Sequence, residues 1–144
     1  MTKQSWRGLL FVLLAVVLLS GPGLAQVKGI AEMTCDFNVE DTTLPAGRYN
    51  LEQISPDQYV LRSPSLKIAV VFLTNPGAAV KAGSLQAPEL LFNVYGDKYF
   101  LRTVKLLGDA SQHDVVMHSV EKGMMAKGAT KTEFRCVMEP GPPK

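Results

Sequence analysis

The stretch Glu89–Leu106, ELLFNVYGDKYFLRTVKL, restricts the fold more than any other part of the chain. Two runs rich in aromatic and branched residues flank Gly96-Asp97. A two-residue loop that begins with Gly suits a tight hairpin, because Gly adopts positive φ without steric cost. The turn sets the pairing: Tyr95 with Lys98, Val94 with Tyr99, Asn93 with Phe100, Phe92 with Leu101. Leu90, Phe92, Val94, Tyr99 and Leu101 then share one face. Leu91, Asn93, Tyr95, Lys98, Phe100 and Arg102 share the other. A slip of one residue would turn Lys98 and Arg102 inward, so burial of the first set selects this register. The second face still carries Tyr95 and Phe100. It is expected to be covered by a second sheet or a loop, or to serve as a ligand or partner surface.

Residues 1–25 read as a secretory signal. Lys3 and Arg7 make a basic start, Gly8–Leu19 is an apolar run, and Gly23-Leu24-Ala25 places small residues where a signal peptidase reads. Cleavage is expected before Gln26; an uncleaved anchor is the alternative. The apolar run is shorter than the roughly 20 residues that span a bilayer. No Cys follows it directly, which argues against lipoprotein processing. The expected location is the periplasm or outside the cell, with no transmembrane segment after cleavage.

The remaining length suits one domain, expected over residues 26–139 with a tail over 140–144. Setting Lys3 and Arg7 aside from the 15 basic residues leaves 13, against 13 acidic. A net charge of zero and the lack of a basic stripe argue against nucleic acid and against polybasic membrane binding. The two cysteines, Cys35 and Cys136, are an even pair in an oxidising compartment and are expected to form one disulfide. Two thiolate metal ligands are the alternative.

Several further segments alternate. Cys35–Val39, Arg48–Ile54 and Gln58–Ser63 read as strands, with turns at Leu44-Pro45-Ala46-Gly47 and Ser55-Pro56-Asp57. The expected pairings are Leu51 with Leu61, Gln53 with Tyr59, Leu61 with Ile68 and Tyr59 with Val70. Leu66–Thr74 is apolar on both faces and is expected to be a central strand covered on both sides. Asn75–Pro88 reads as a long loop, either a solvated crossover or a binding loop at one end of the fold. Ser119–Lys127 is expected to form a short helix stopped by Gly128. Lys131–Glu139 returns to alternation, with Phe134, Cys136 and Met138 on one side. If that last strand neighbours the first, the cysteines meet. The fold class is mostly β: an antiparallel β-sandwich or small flattened barrel with one short C-terminal helix.

The signal sequence, LPAGRY at 44–49, LTNPG at 73–77 and LFNVYGDKYFL at 91–101 together resemble a family of small exported bacterial β-rich proteins of uncharacterised function. The resemblance spans residues 37 to about 122. It implies a β domain begun by an LPAG-x-Y turn and built around a YGD-x-YFL hairpin. The Cys136 strand departs from that pattern, and the resemblance carries no catalytic residues.

Phosphate-cradling Gly loops, GxSxG, HExxH and CxxC are all missing from the sequence. The densest polar cluster is His113, Asp114 and His118. Its plain reading is exposed histidines near a loop. Its sharper reading joins His113, His118 and Met117, with further methionines nearby, as a copper site, since imidazole and thioether suit Cu(I). The leading expectation is a non-catalytic exported module that binds a protein or small ligand and carries no cofactor. The alternative is a periplasmic copper-binding protein.

Overall fold

The computed structural model describes residues 26–142, so the expected signal sequence lies outside the described residues. The strands are β1 (Gln26–Met33), β2 (Phe37–Val39), β3 (Thr42–Leu44), β4 (Gly47–Ser55), β5 (Gln58–Ser63) and β6 (Ile68–Ala79). They continue as β7 (Glu89–Tyr95), β8 (Lys98–Lys105) and β9 (Ser111–Val115). Helix α1 (Ser119–Ala126), the single helix among the described residues, follows, then β10 (Thr132–Val137) and β11 (Glu139–Pro140). Among the described residues the chain is mostly β with one short helix, as its alternation and turns imply.

Spatially the strands run β10-β7-β8-β9-β6-β5-β4-β1-β11. Only Met138 separates β10 from β11, yet β10 pairs with β7 and β11 pairs with β1. The last segment therefore joins the two ends of the sheet. Strand β6 makes the opposite corner: Ile68–Leu73 pairs with β5, and the stretch from Thr74 to Ala79 pairs with β9. The result is a flattened barrel, and closure leaves few edges to manage. Its neighbours are antiparallel except at one bridge. There β2 lies parallel to β8 at Asn38 and Phe100 and fixes the β2–β3 hairpin beside β8.

The hairpin pairs as its turn requires, from Tyr95 with Lys98 to Phe92 with Leu101. A bulge then shifts Leu91 onto Thr103. Strand β5 also meets β4 as expected, Leu51 on Leu61 and Gln53 on Tyr59. Strand β6 is displaced by two residues: Leu61 faces Val70 and Tyr59 faces Phe72. The connection at 64–67 is longer than a two-residue turn, and Lys67 takes φ 55° to close it. A slip of two preserves the face, so Val70 and Phe72 still point inward.

The interior is aromatic. Phe37 stands edge-on to Tyr49 at 5.2 Å and to Phe92 at 5.7 Å, all three fully buried. Each such pair adds about 0.5–1.5 kcal/mol beyond area burial. The Tyr49 hydroxyl donates to Pro45 O at 2.6 Å, which ties the LPAGRY turn to the core. Burial, then the charge of Asp36, raises the pKa of this phenol.

Four expectations are corrected. The outer face of β6 is open: Val71 and Leu73 are 48% and 49% exposed, because α1 lies elsewhere. The lead-in Gln26–Met33 is a full strand. Its inward residues Gly29, Ala31 and Met33 make a weak apolar signal, and Met138 packs closely on Gly29, where a Cβ would stand 3.0 Å from Met138 Sδ. The start of the tail, Pro140, pairs with Gly29 in β11. The disulfide is absent: Cys35 and Cys136 are both free thiols. Cys136 sits on β10, hydrogen-bonded to β7 and not to β1, with its Sγ against Glu32 O at 3.9 Å. Cys35 lies beyond the end of β1, in the bend before β2.

Candidate functional site

One end of the barrel carries a pocket of about 290 Å³. Two turns frame it. In Lys81–Ser84, the Ser84 amide and hydroxyl both donate to Lys81 O, at 3.1 and 2.6 Å, and Gly83 takes φ +76°. In the second turn, the Asp109 amide donates to Leu106 O and Gly108 takes φ +83°. A type II turn requires this positive φ of its third residue, which is why Gly stands at both places. The Val80 amide donates to Ala110 O at 2.8 Å and fastens one turn to the other. The walls between them come mainly from Val80, Leu85 and Leu106.

Asp109 borders this pocket and is held from behind. His113 Nε2 meets Asp109 Oδ2 at 2.6 Å. His113 is fixed by its backbone: β9 pairs with β8 through Val104 and with β6 through Pro76. Its ring packs on Tyr59 with centroids 5.5 Å apart, and Gln53 Nε2 donates to the Tyr59 hydroxyl at 3.3 Å. Burial, reinforced by the charges of Asp109 and Asp57, pushes the Tyr59 phenol up to about 12.

A second concave surface lies beside α1. Asp36, Glu40, Asp41 and Asp97 surround a cleft of about 390 Å³, with Lys98, Phe100 and Val120 also on its walls. His118, the N-cap residue of α1, rests against the Asp41 carboxylate. The helix is attached to the outer face of the β7–β8 hairpin by Glu121, its one buried residue. Glu121 Oε1 accepts from Asn93 Nδ2 at 2.7 Å and from the Tyr95 hydroxyl at 3.2 Å. Burial, then the Glu121 charge and hydrogen bond, raise the pKa of Tyr95. Thus the helix meets Tyr95 through Glu121, while Phe100 lies beside the β2–β3 hairpin and Val120 along the cleft. Asn93 Oδ1 is buried without a hydrogen-bond partner among the described residues.

The structure separates the residues that sequence reasoning grouped. His113 faces Asp109 at the barrel end, while His118 faces Asp41 beside the helix, and Met117 is half-buried between them in sequence. Asp114 turns to the other face of β9, where it accepts from Thr103 and Gln112. Among the described residues, no three His, Cys, Asp or Glu side chains converge as a metal site. No helix of the described residues is long and apolar enough to cross a membrane. Lys81, Leu106 and Asp109 escaped sequence reasoning; the only trace of them was the long loop and the glycines at 83 and 108. Comparison of the chain with family models, curated proteins and solved structures finds no match.

Proposed function

We propose that the chain is a non-catalytic, exported binding module that holds a small ligand in the barrel-end pocket. The observation that carries this reading is the pocket's construction: apolar walls, charged groups at the rim, and a backing strand hydrogen-bonded on both edges. Ligand pockets are built this way, mostly apolar with a few placed polar groups. A non-catalytic role is supported by the partners of the histidines, which are carboxylates; among the described residues no Ser, Thr or Cys side chain bonds to either imidazole. A histidine-activated Ser, Thr or Cys nucleophile needs such a pairing. Export through residues 1–25 and kinship with small exported β-rich proteins belong to the same proposal and rest on the sequence.

Native mass measurement of the chain exported through its own signal tests it. The expected result is a small-molecule adduct, or one formed on adding a compound library, that disappears in Ala110→Trp, which fills the pocket. Turnover of a substrate that depends on one residue would sink the proposal. So would binding that survives the filled pocket.

A further inference from the structure

We infer that the ligand is a small zwitterion with an apolar side chain, of the size of an α-amino acid or dipeptide, held between Lys81 and Asp109. The inference rests on the small-ligand reading above and adds the chemical class.

Its starting point is two charges of opposite sign on one cavity. Lys81 and Asp109 both line the pocket. Among the described residues, Lys81 forms no ion pair; the cations that do are arginines and histidines. Asp109 is engaged by a single contact, from His113 Nε2 to Oδ2. Its other oxygen makes no protein hydrogen bond among the described residues. A cationic and an anionic residue therefore line the same pocket, Lys81 with no ion pair and Asp109 with one oxygen free among the described residues.

The pairing of those groups selects the ligand. A simple amine satisfies Asp109 and leaves Lys81 beside a bound cation. A simple acid satisfies Lys81 and places a second anion near Asp109. A zwitterion answers both, its carboxylate toward Lys81 and its ammonium toward Asp109. Charge-assisted bonds of this kind are stronger than neutral ones, and more so against low-dielectric walls. Val80, Leu85 and Leu106 supply such walls and suit a branched aliphatic side chain. The volume of about 290 Å³ lies just below the range for ligand pockets, roughly 300–1,000 Å³, which favours a single residue or a dipeptide.

His113 is a positioning residue here. It holds Asp109 from the rigid strand, so the carboxylate does not have to be ordered on binding. Preorganisation of this sort raises affinity by lowering the entropic cost of association.

Isothermal titration of the intact exported protein with L-leucine is the test, using isoamylamine and 4-methylvalerate as probes lacking one charge each. Leucine is expected to bind, with each single-charge probe weaker by about ten-fold or more. Asp109→Asn and Lys81→Gln should each weaken leucine by about ten-fold or more while the thermal midpoint is kept. Lys98→Gln, beside α1, should change nothing. Amide shifts on binding should concentrate in Val80–Leu85 and Leu106–Ala110. Isoamylamine binding as tightly as leucine overturns the zwitterion and leaves a small-cation pocket. Leucine binding that survives both substitutions overturns the location. No saturable leucine binding at millimolar concentration overturns the ligand class. In that case an adduct lost in Ala110→Trp would still uphold the binding module, and the absence of any adduct would remove both.

Discussion

His113 meets Asp109 from a strand paired on both edges, whereas His118 meets Asp41 at the start of a helix attached through one buried side chain. The two contacts look alike in chemistry and differ in foundation. Strand β9 is hydrogen-bonded to β8 and β6, so His113 cannot move without breaking ladders on both sides. Helix α1 has eight residues, no side-chain N-cap bond, no basic residue in its last turn, and Gly123 in its interior. A mid-helix Gly alone costs about 1 kcal/mol relative to Ala. Its C-terminus is better made. The Gly128 amide donates to Met125 O and the Ala129 amide to Met124 O, the two bonds of a Schellman motif. The difference teaches that the barrel end is preorganised, while the cleft beside α1 depends on a polar attachment.

Glu121→Ala puts the largest strain on that distinction. It removes the acceptor of both Asn93 Nδ2 and the Tyr95 hydroxyl in a site where Asn93 Oδ1 already lacks a partner. The expected loss is about 2–3 kcal/mol, because buried polar groups are left unsatisfied. Denaturant melts give the magnitude, and limited proteolysis should cut newly within residues 119–130. Amide signals of Val80–Leu85 should stay in place. Movement there would show the two regions to be coupled.

The next largest effect belongs to the barrel end and is read by pH. The folded-state pKa of Tyr59 is raised, so the folded protein keeps its phenol neutral where the unfolded chain ionises it. Stability from this residue is complete below pH 10 and is lost as pH rises toward about 12. The full difference is on the order of 2 kcal/mol. Thermal melts from pH 9 upward should fall more steeply in the wild type than in Tyr59→Phe, at constant ionic strength. Parallel slopes would mean that the Tyr59 environment opens to water, and the barrel end would then lose its claim to rigidity.

Two glycine substitutions sharpen the comparison further. Gly108 and Gly128 both occupy the left-handed region, at φ +83° and +74°, and a Cβ on either meets open space. The cost of Ala is then conformational alone, about 1 kcal/mol at each position. Equal losses of stability are expected. Only Gly108→Ala should also weaken ligand binding, since only that turn frames the pocket.

The fold was legible wherever a local turn dictated a register. Gly96-Asp97 specifies its hairpin through turn geometry, the Pro56-Asp57 hairpin reaches the expected register through a bulge between Gln53 and Ser55, and Phe92, Val94, Leu51 and Leu61 share one core cluster. It became illegible where distant contacts decide. Gly29 and Ala31 carry little apolar signal in sequence; Met138 packs against Gly29, and Ala31 belongs to the buried core cluster. Asn75-Pro76-Gly77 reads as a loop, yet β6 continues through it, with Gly77 pressed against Asp114. The pocket shows the same limit. His113 stands out in the sequence and Asp109, four residues before it, does not; Lys81 is brought to them by the Val80–Ala110 hydrogen bond, and no local pattern encodes that meeting.

The smallest expected effect concerns the cysteines, which neither region uses. A link between Cys35 and Cys136 would close a loop of about 100 residues and contribute up to about 4–5 kcal/mol by chain entropy. The fold instead commits Cys136 to the core side of β10, where burial pushes its thiol pKa up. Cys35 is half-buried in the bend and more open to reagent. Reductant should therefore shift stability by less than about 0.5 kcal/mol, within the range of a neutral surface change. Thiol alkylation of the native protein at neutral pH should modify Cys35 and spare Cys136 until the chain unfolds, because the thiolate is the reacting form. Intact mass reads the same point independently: the exported chain should carry both thiol hydrogens. A mass lighter by two hydrogens, with a midpoint that drops on reduction, would require β10 to move toward the bend before β2. Its pairing with β7 would then have to loosen where it now closes the barrel.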